Sequence, residues 1–102
     1  MLLKNLTKDF VLIVDNYVIR NNSVNLKGKV QSGVCRINES VWLKTSCSEI
    51  PALIRSLKVI NSSNKKQAHK ADIVNLILEC KTSNVKDIIS LYANNARNYY
   101  IQ

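Results

Sequence analysis

The stretch Val24 to Leu43, VNLKGKVQSGVCRINESVWL, constrains this chain more than any other. Leu26 and Val30 fall on one face with Gly28 between them, Ser32-Gly33 signals a turn, and a second alternation closes the run at Val41 and Leu43. Apolar side chains at every second position suit an extended chain, whose successive side chains point to opposite faces. The stretch therefore reads as two extended segments joined by a compact connection, with the remainder added to that pair as further strands.

The flanking sequence is of the same kind. Phe10 to Ile19, FVLIVDNYVI, is rich in β-branched and aromatic residues and predicts a strand bent near Asp15-Asn16. Arg20 to Ser23 is a polar turn, and Gly28 inside the next strand, Val24 to Gln31, marks a bulge or a close approach of another backbone. A short connection over Val34 to Asn38 leads to a strand at Glu39 to Ser46, and Pro51 opens the next one. Ala52 to Ile60 reads as strand with Arg55 and Lys58 facing out, although Leu53, Ile54 and Leu57 also stand at helical spacing. A polar, basic loop over Asn61 to Lys66 precedes a short extended piece, Gln67 to Lys70, and a strongly apolar strand, Ile73 to Cys80. Val85 to Tyr92 fits either a last strand or one short helix capped by Ser83 or Asn84. Several short strands, regular turn signals and no long helical stripe predict a small all-β barrel or sandwich.

A chain of 102 residues has room for one domain, expected over 1–102, with its core at about 10–92 and a loosely held tail at 93–102. Hydrophobic residues make up 46%, which excludes wholesale disorder. The formal charge of +8 favours acidic partners: RNA, DNA, an anionic membrane or an acidic protein. Cys35, Cys47 and Cys80 are odd in number and widely spaced, so they form neither a disulfide framework nor a zinc knuckle and read as buried free thiols of a reducing cytosol. The first residues, MLLKNLTKDF, lack the features of a signal peptide, and the apolar run Phe10 to Val14 is too short to span a bilayer.

Chemistry-bearing residues are sparse. His69, the sole histidine, with Asp72 and Ser62 or Ser63 has the composition of a triad without the geometry that defines one, and reads as a solvated turn residue. His69 and Cys80 are too few for a metal site. Asp15 and Asp72 sit at turns, where carboxylates bond backbone amides. Lys58, Lys65, Lys66 and Lys70 group around one hairpin, and Lys27 and Lys29 share the face opposite Leu26 and Val30; together these lysines form candidate phosphate contacts. Trp42, between Val41 and Leu43, points away from their face and is the candidate partner anchor. Tyr99-Tyr100 reads as part of the tail.

The order of these landmarks resembles the second domain of translational GTPases such as elongation factor Tu. Asp15-Asn16-Tyr17-Val18-Ile19 is similar to D-x-F-x-I, and Leu26 to Gly33 to V-x-G-R-V-E-x-G. Cys35 to Leu43 resembles I-K-V-G-D-E-V-x-I, Ile54 to Leu57 resembles V-x-S-I, and Ala68 to Leu76 resembles A-x-A-G-D-N-V-G-L. The resemblance implies a closed antiparallel β-barrel of about six strands, with Gly28 and Gly33 structural. Family turn glycines are replaced here by Asn21, Ser23, Asn38 and Ala71, and the glycine after Val74 by Asn75, so Ala71 is strained if its φ is positive. In that family the barrel follows a GTP-binding domain and helps hold the acceptor end of aminoacyl-tRNA or touches ribosomal RNA. No G-x-x-x-x-G-K-S/T loop is present here, so no nucleotide is expected. The expectation is a non-catalytic, cytoplasmic module without cofactor or metal that contacts RNA or the ribosome through Lys27, Lys29, Lys58, Lys65, Lys66 and Lys70. The alternative is a protein–protein adaptor that works through Trp42 and the tail.

Overall fold

Alternation becomes a ring of strands. The computed structural model of the chain describes residues 10–62, 65–83 and 85–93. The strands are β1 (Phe10–Arg20), β2 (Ser23–Gly33), β3 (Cys35–Arg36), β4 (Ser40–Thr45), β5 (Glu49–Val59), β6 (Gln67–Ala68), β7 (Ile73–Glu79) and β8 (Ile88–Ala93). Six of them close an antiparallel barrel in the order β1-β2-β7-β5-β4-β8, and β8 returns to β1. The short β3 and β6 pair separately with each other. Where the residues alone left barrel and sandwich open, the structure is a barrel. In β7, Val74, Leu76 and Leu78 point inward and Ile73, Asn75, Ile77 and Glu79 outward. Phe10, Leu12, Leu43, Ile54 and Leu91 complete the most deeply buried layer.

The ambiguous segments are strands carrying β-bulges. In β5, Ile54 faces Leu78 and Leu57 faces Leu76, with the register shifting between them. One inserted residue turns the strand period of two into a spacing of three, which imitates a helix in the sequence. Arg55, at the shift, bonds Glu79 across the strands at 2.6 Å, an exposed pair of small energetic weight. The same device resolves β8, where a shift opposite Lys44 and Thr45 lets Ile88 and Leu91 both face inward. Two further shifts lie in the β1–β2 pair, one between Val11 and Leu12 and one at Asp15, between Val14↔Gly28 and Asn16↔Lys27, where the sequence predicts a bend.

Gly28 sits where β1 crosses close over β2. A Cβ there would run into the Leu12 side chain and stand 2.5 Å from the Ile13 carbonyl oxygen. Turns use left-handed residues: Asn22 (φ 61), Asn38 (φ 71), Asn61 (φ 68) and Gly33 (φ 78) are chemically suited to it. Ala71 (φ 78) is not. It is held there by bonds to β2: its amide donates to the Val30 carbonyl at 2.8 Å, and the Val30 amide donates to the Asp72 carbonyl at 2.9 Å. Within the turn, the Asp72 amide donates to the His69 carbonyl at 2.9 Å.

Two substitutions check this account by denaturant unfolding. Ala71→Gly relieves the left-handed strain and raises stability by about 1 kcal/mol. Gly28→Ala forces β1 and β2 apart and lowers stability by roughly 1–3 kcal/mol.

Candidate functional site

The outer wall formed by β1, β2, β7 and β5 gathers most of the candidate lysines. Because Leu26, Gly28 and Val30 are buried, Lys27 and Lys29 point outward. Register then sets their neighbours. Lys29 lies between Ile13 of β1 and Ile73 of β7. Lys27 lies between Asn16 and Asn75, and Asn75 is in turn paired with Lys58 of β5. A row Asn16–Lys27–Asn75–Lys58 thus runs across four strands, with hydrogen-bonding amides between ammonium groups.

The β6–β7 turn overhangs this wall and adds Lys70. Between them lies an open groove of about 640 Å³, lined among others by Ile13, Asp15, Lys27, Lys29, Lys70 and Ile73. Its chemistry is cationic around an apolar base. A multiply charged, extended anion fits such a row better than a compact ion does, since its charges are spread along the wall.

The remaining candidates are placed differently. Lys65 donates to the Asp72 carboxylate at 3.1 Å, so its charge is already matched within the turn. Lys66 is exposed beside it, and the groove lining does not include it. The hairpin grouping expected for Lys58, Lys65, Lys66 and Lys70 is therefore split: Lys58 extends the Lys27 row, Lys70 joins the groove, and Lys65 serves the turn. Trp42 is outward and half-buried on β4, the strand diametrically opposite β2 in the ring. It faces Pro51 on β5 and Tyr92 on β8. Burial, then a hydrogen bond to the Glu49 carboxylate and its charge, push the Tyr92 hydroxyl up to about 12. The tail residues 94–102, including Tyr99 and Tyr100, lie outside the described residues.

Asp72 bonds the backbone of His69, whose amide donates to it at 2.9 Å, while the His69 ring stands 3.3 Å from the Gln67 amide nitrogen. That is a turn, not the arrangement in which a carboxylate orients an imidazole. Among the described residues no group of three or more His, Cys, Asp or Glu side chains is placed to hold a metal ion. The outward isoleucines Ile13, Ile73 and Ile77 and the outward Val18 were not read as surface residues in the sequence. The signal was present: FVLIV and IVNLIL carry apolar residues at both parities, and only one parity can face the interior.

Neither a protein-family model nor a curated protein matches the chain. A solved structure does, that of translation elongation factor SelB from Methanococcus maripaludis in its apo form, with a TM-score of 0.68 and 14% identity. The barrel fold is shared with part of a translation elongation factor. The match covers 82% of this chain but 18% of SelB, so the likeness concerns one barrel within a much larger protein.

The cysteines need one correction. Cys35 is buried, but Cys47 is exposed in the β4–β5 turn and Cys80 is half-buried, so the three are not uniformly interior thiols. The turn before β5 is held instead by the buried Thr45, whose hydroxyl oxygen accepts from the Cys47 and Ser48 amides, so Cys47 is left at the surface. Burial, and then the Glu39 charge, push the Cys35 thiol up to about 12, leaving it protonated and unreactive near neutrality.

A thiol reagent at neutral pH is expected to modify Cys47 fastest and Cys35 only on unfolding, read by peptide mass mapping. The His69 amide, and then the Lys65 ammonium, hold the Asp72 carboxyl below its ordinary 3.8. A depressed carboxylate contributes stability above its unfolded value and loses it as pH falls through its folded value. Carboxyl NMR titration is therefore expected to give Asp72 a midpoint below 3.8, with loosening of the β6–β7 turn only through that acid range.

Proposed function

We propose that this barrel is a non-catalytic module that binds RNA, in a ribosomal and cytoplasmic setting, along the wall of β1, β2, β7 and β5. The observation that carries the reading is the row Lys27–Asn75–Lys58, continued through Lys29 and Lys70 into the groove. Ammonium groups aligned across strands can neutralise successive phosphates, while the intervening Asn75 donates and accepts hydrogen bonds. The net charge of +8 supplies the long-range attraction. The likeness to a translation elongation factor supports the ribosomal setting. Lys65 and Lys66 contribute less, because Lys65 is engaged by Asp72.

Phosphate neutralisation has a quantitative signature. Affinity for a single-stranded RNA, measured by fluorescence anisotropy, falls steeply with salt, and each lysine removed from the contact lowers the log–log salt slope by about 1. Lys27→Ala with Lys29→Ala is expected to reduce the slope by about 2 and weaken binding across sequences. Lys65→Ala with Lys66→Ala is expected to produce a smaller loss. Affinity indifferent to salt, or unchanged in the Lys27/Lys29 variant, overturns the reading.

Trp42 supports a second reading as a protein adaptor, since the half-buried Trp42 and the exposed Pro51 are register partners on the opposite wall, beside the buried Tyr92. That pair predicts partner capture lost on Trp42→Ala and insensitive to ribonuclease.

A further inference from the structure

Ring closure leaves part of β1 with one neighbour. Phe10 to Ile13 pair with both β2 and β8, but past Ile13 the pairing with β8 ends. After the bulge at Asp15, the regular run Asn16 to Arg20 pairs with β2 alone among the described strands. Half of the amides and carbonyls of such a run point away from β2, which makes a template for another strand. Its side chains are uncovered too: Val18 is 54% and Ile19 37% exposed. At the far end, the Thr82 hydroxyl donates to the Arg20 carbonyl at 3.0 Å and accepts from the Asn22 amide, tying off the turn.

We infer that the Asn16–Arg20 edge of β1 docks a second copy of this chain, pairing antiparallel with its own counterpart about Val18. Two things point to this occupant. The first is register. Two identical strands that extend one sheet about a two-fold axis must pair residues of the same face, so the axis passes between the two copies of one residue. The regular run has Val18 as its midpoint, which pairs Val18 with Val18, Tyr17 with Ile19 and Asn16 with Arg20 of the second copy. Outward residues meet outward residues, and the half-buried Tyr17 meets Ile19, an aromatic with a β-branched neighbour, a favourable cross-strand pair.

The second is charge. Copies carrying +8 each repel, and most of the surrounding wall is cationic. This edge carries one acid, Asp15, and one base, Arg20, at opposite ends. Antiparallel pairing brings each arginine to the Asn16 and Asp15 end of the other copy, so the charges at this edge match where the rest of the wall would clash. The dimer does not depend on the RNA reading, but it would place the Lys27 rows of both copies on one continuous sheet face.

Sedimentation equilibrium on the full chain tests it, over a concentration series reaching about 100 µM. The expected result is a monomer–dimer equilibrium that Val18→Lys shifts at least tenfold toward monomer, by setting like charges face to face on the axis. Val18 is exposed, so the variant should keep the native spectrum. Directly opposed Cα atoms lie within disulfide reach. In a Cys47→Ser background, Val18→Cys is therefore expected to crosslink on mild oxidation. Asn25→Cys, the neighbour of Val18 on β2, is not. A monomer throughout the series overturns the proposal. So does a dimer that survives Val18→Lys, or crosslinking equal at the two positions. If Val18→Lys does not fold, the crosslinking pair decides alone.

Discussion

The barrel depends on one short seam, where Phe10 to Ile13 of β1 pair with Ser90 to Ala93 of β8. An antiparallel sheet with one apolar face must cover that face, and six strands do so by curling until first meets last. Phe10, Leu12 and Leu91 lie at the seam and are almost wholly buried, so closure and core formation are a single event there. Closure also determines where the surface chemistry goes. It places β2 and β4 on opposite walls and thereby separates the lysine rows from Trp42.

Curling a short sheet this tightly requires irregularity, and the register shifts in β1, β5 and β8 supply it. Each bulge lets two residues three or so apart both face the interior. This explains why the strands themselves were legible and two of them were not cleanly so. β7 alternates without interruption and reads as strand at sight. The spacing of Ile54 with Leu57, and of Ile88 with Leu91, is that of a helix until the partner strand is known. Gly28 works the other way: a lone glycine in an alternating run signals a bulge or a close approach of another backbone, and β1 supplies that backbone.

The candidate site was legible residue by residue and not as a surface. That Lys27 and Lys29 point outward follows from Leu26 and Val30 pointing in. That Lys58 stands in the Lys27 row does not, because the link runs through Asn75 on a strand far away in sequence. Proximity along the chain misplaced Lys65 as well, since its ammonium bonds the Asp72 carboxylate in the turn. The Ala71 turn repeats the point: a missing glycine was visible, but only the pairing with Val30 shows what holds the strained alanine in place.

By itself the sequence determined the all-β character, the positions of the turns, the net positive charge and which lysines leave the core, because side-chain parity and backbone preference are local properties. The family resemblance already pointed to the closed barrel; the tertiary structure alone decided which lysines share a wall and where β1 is left with a bare edge. These depend on strand register and ring order, and hydrogen bonding between distant segments sets both.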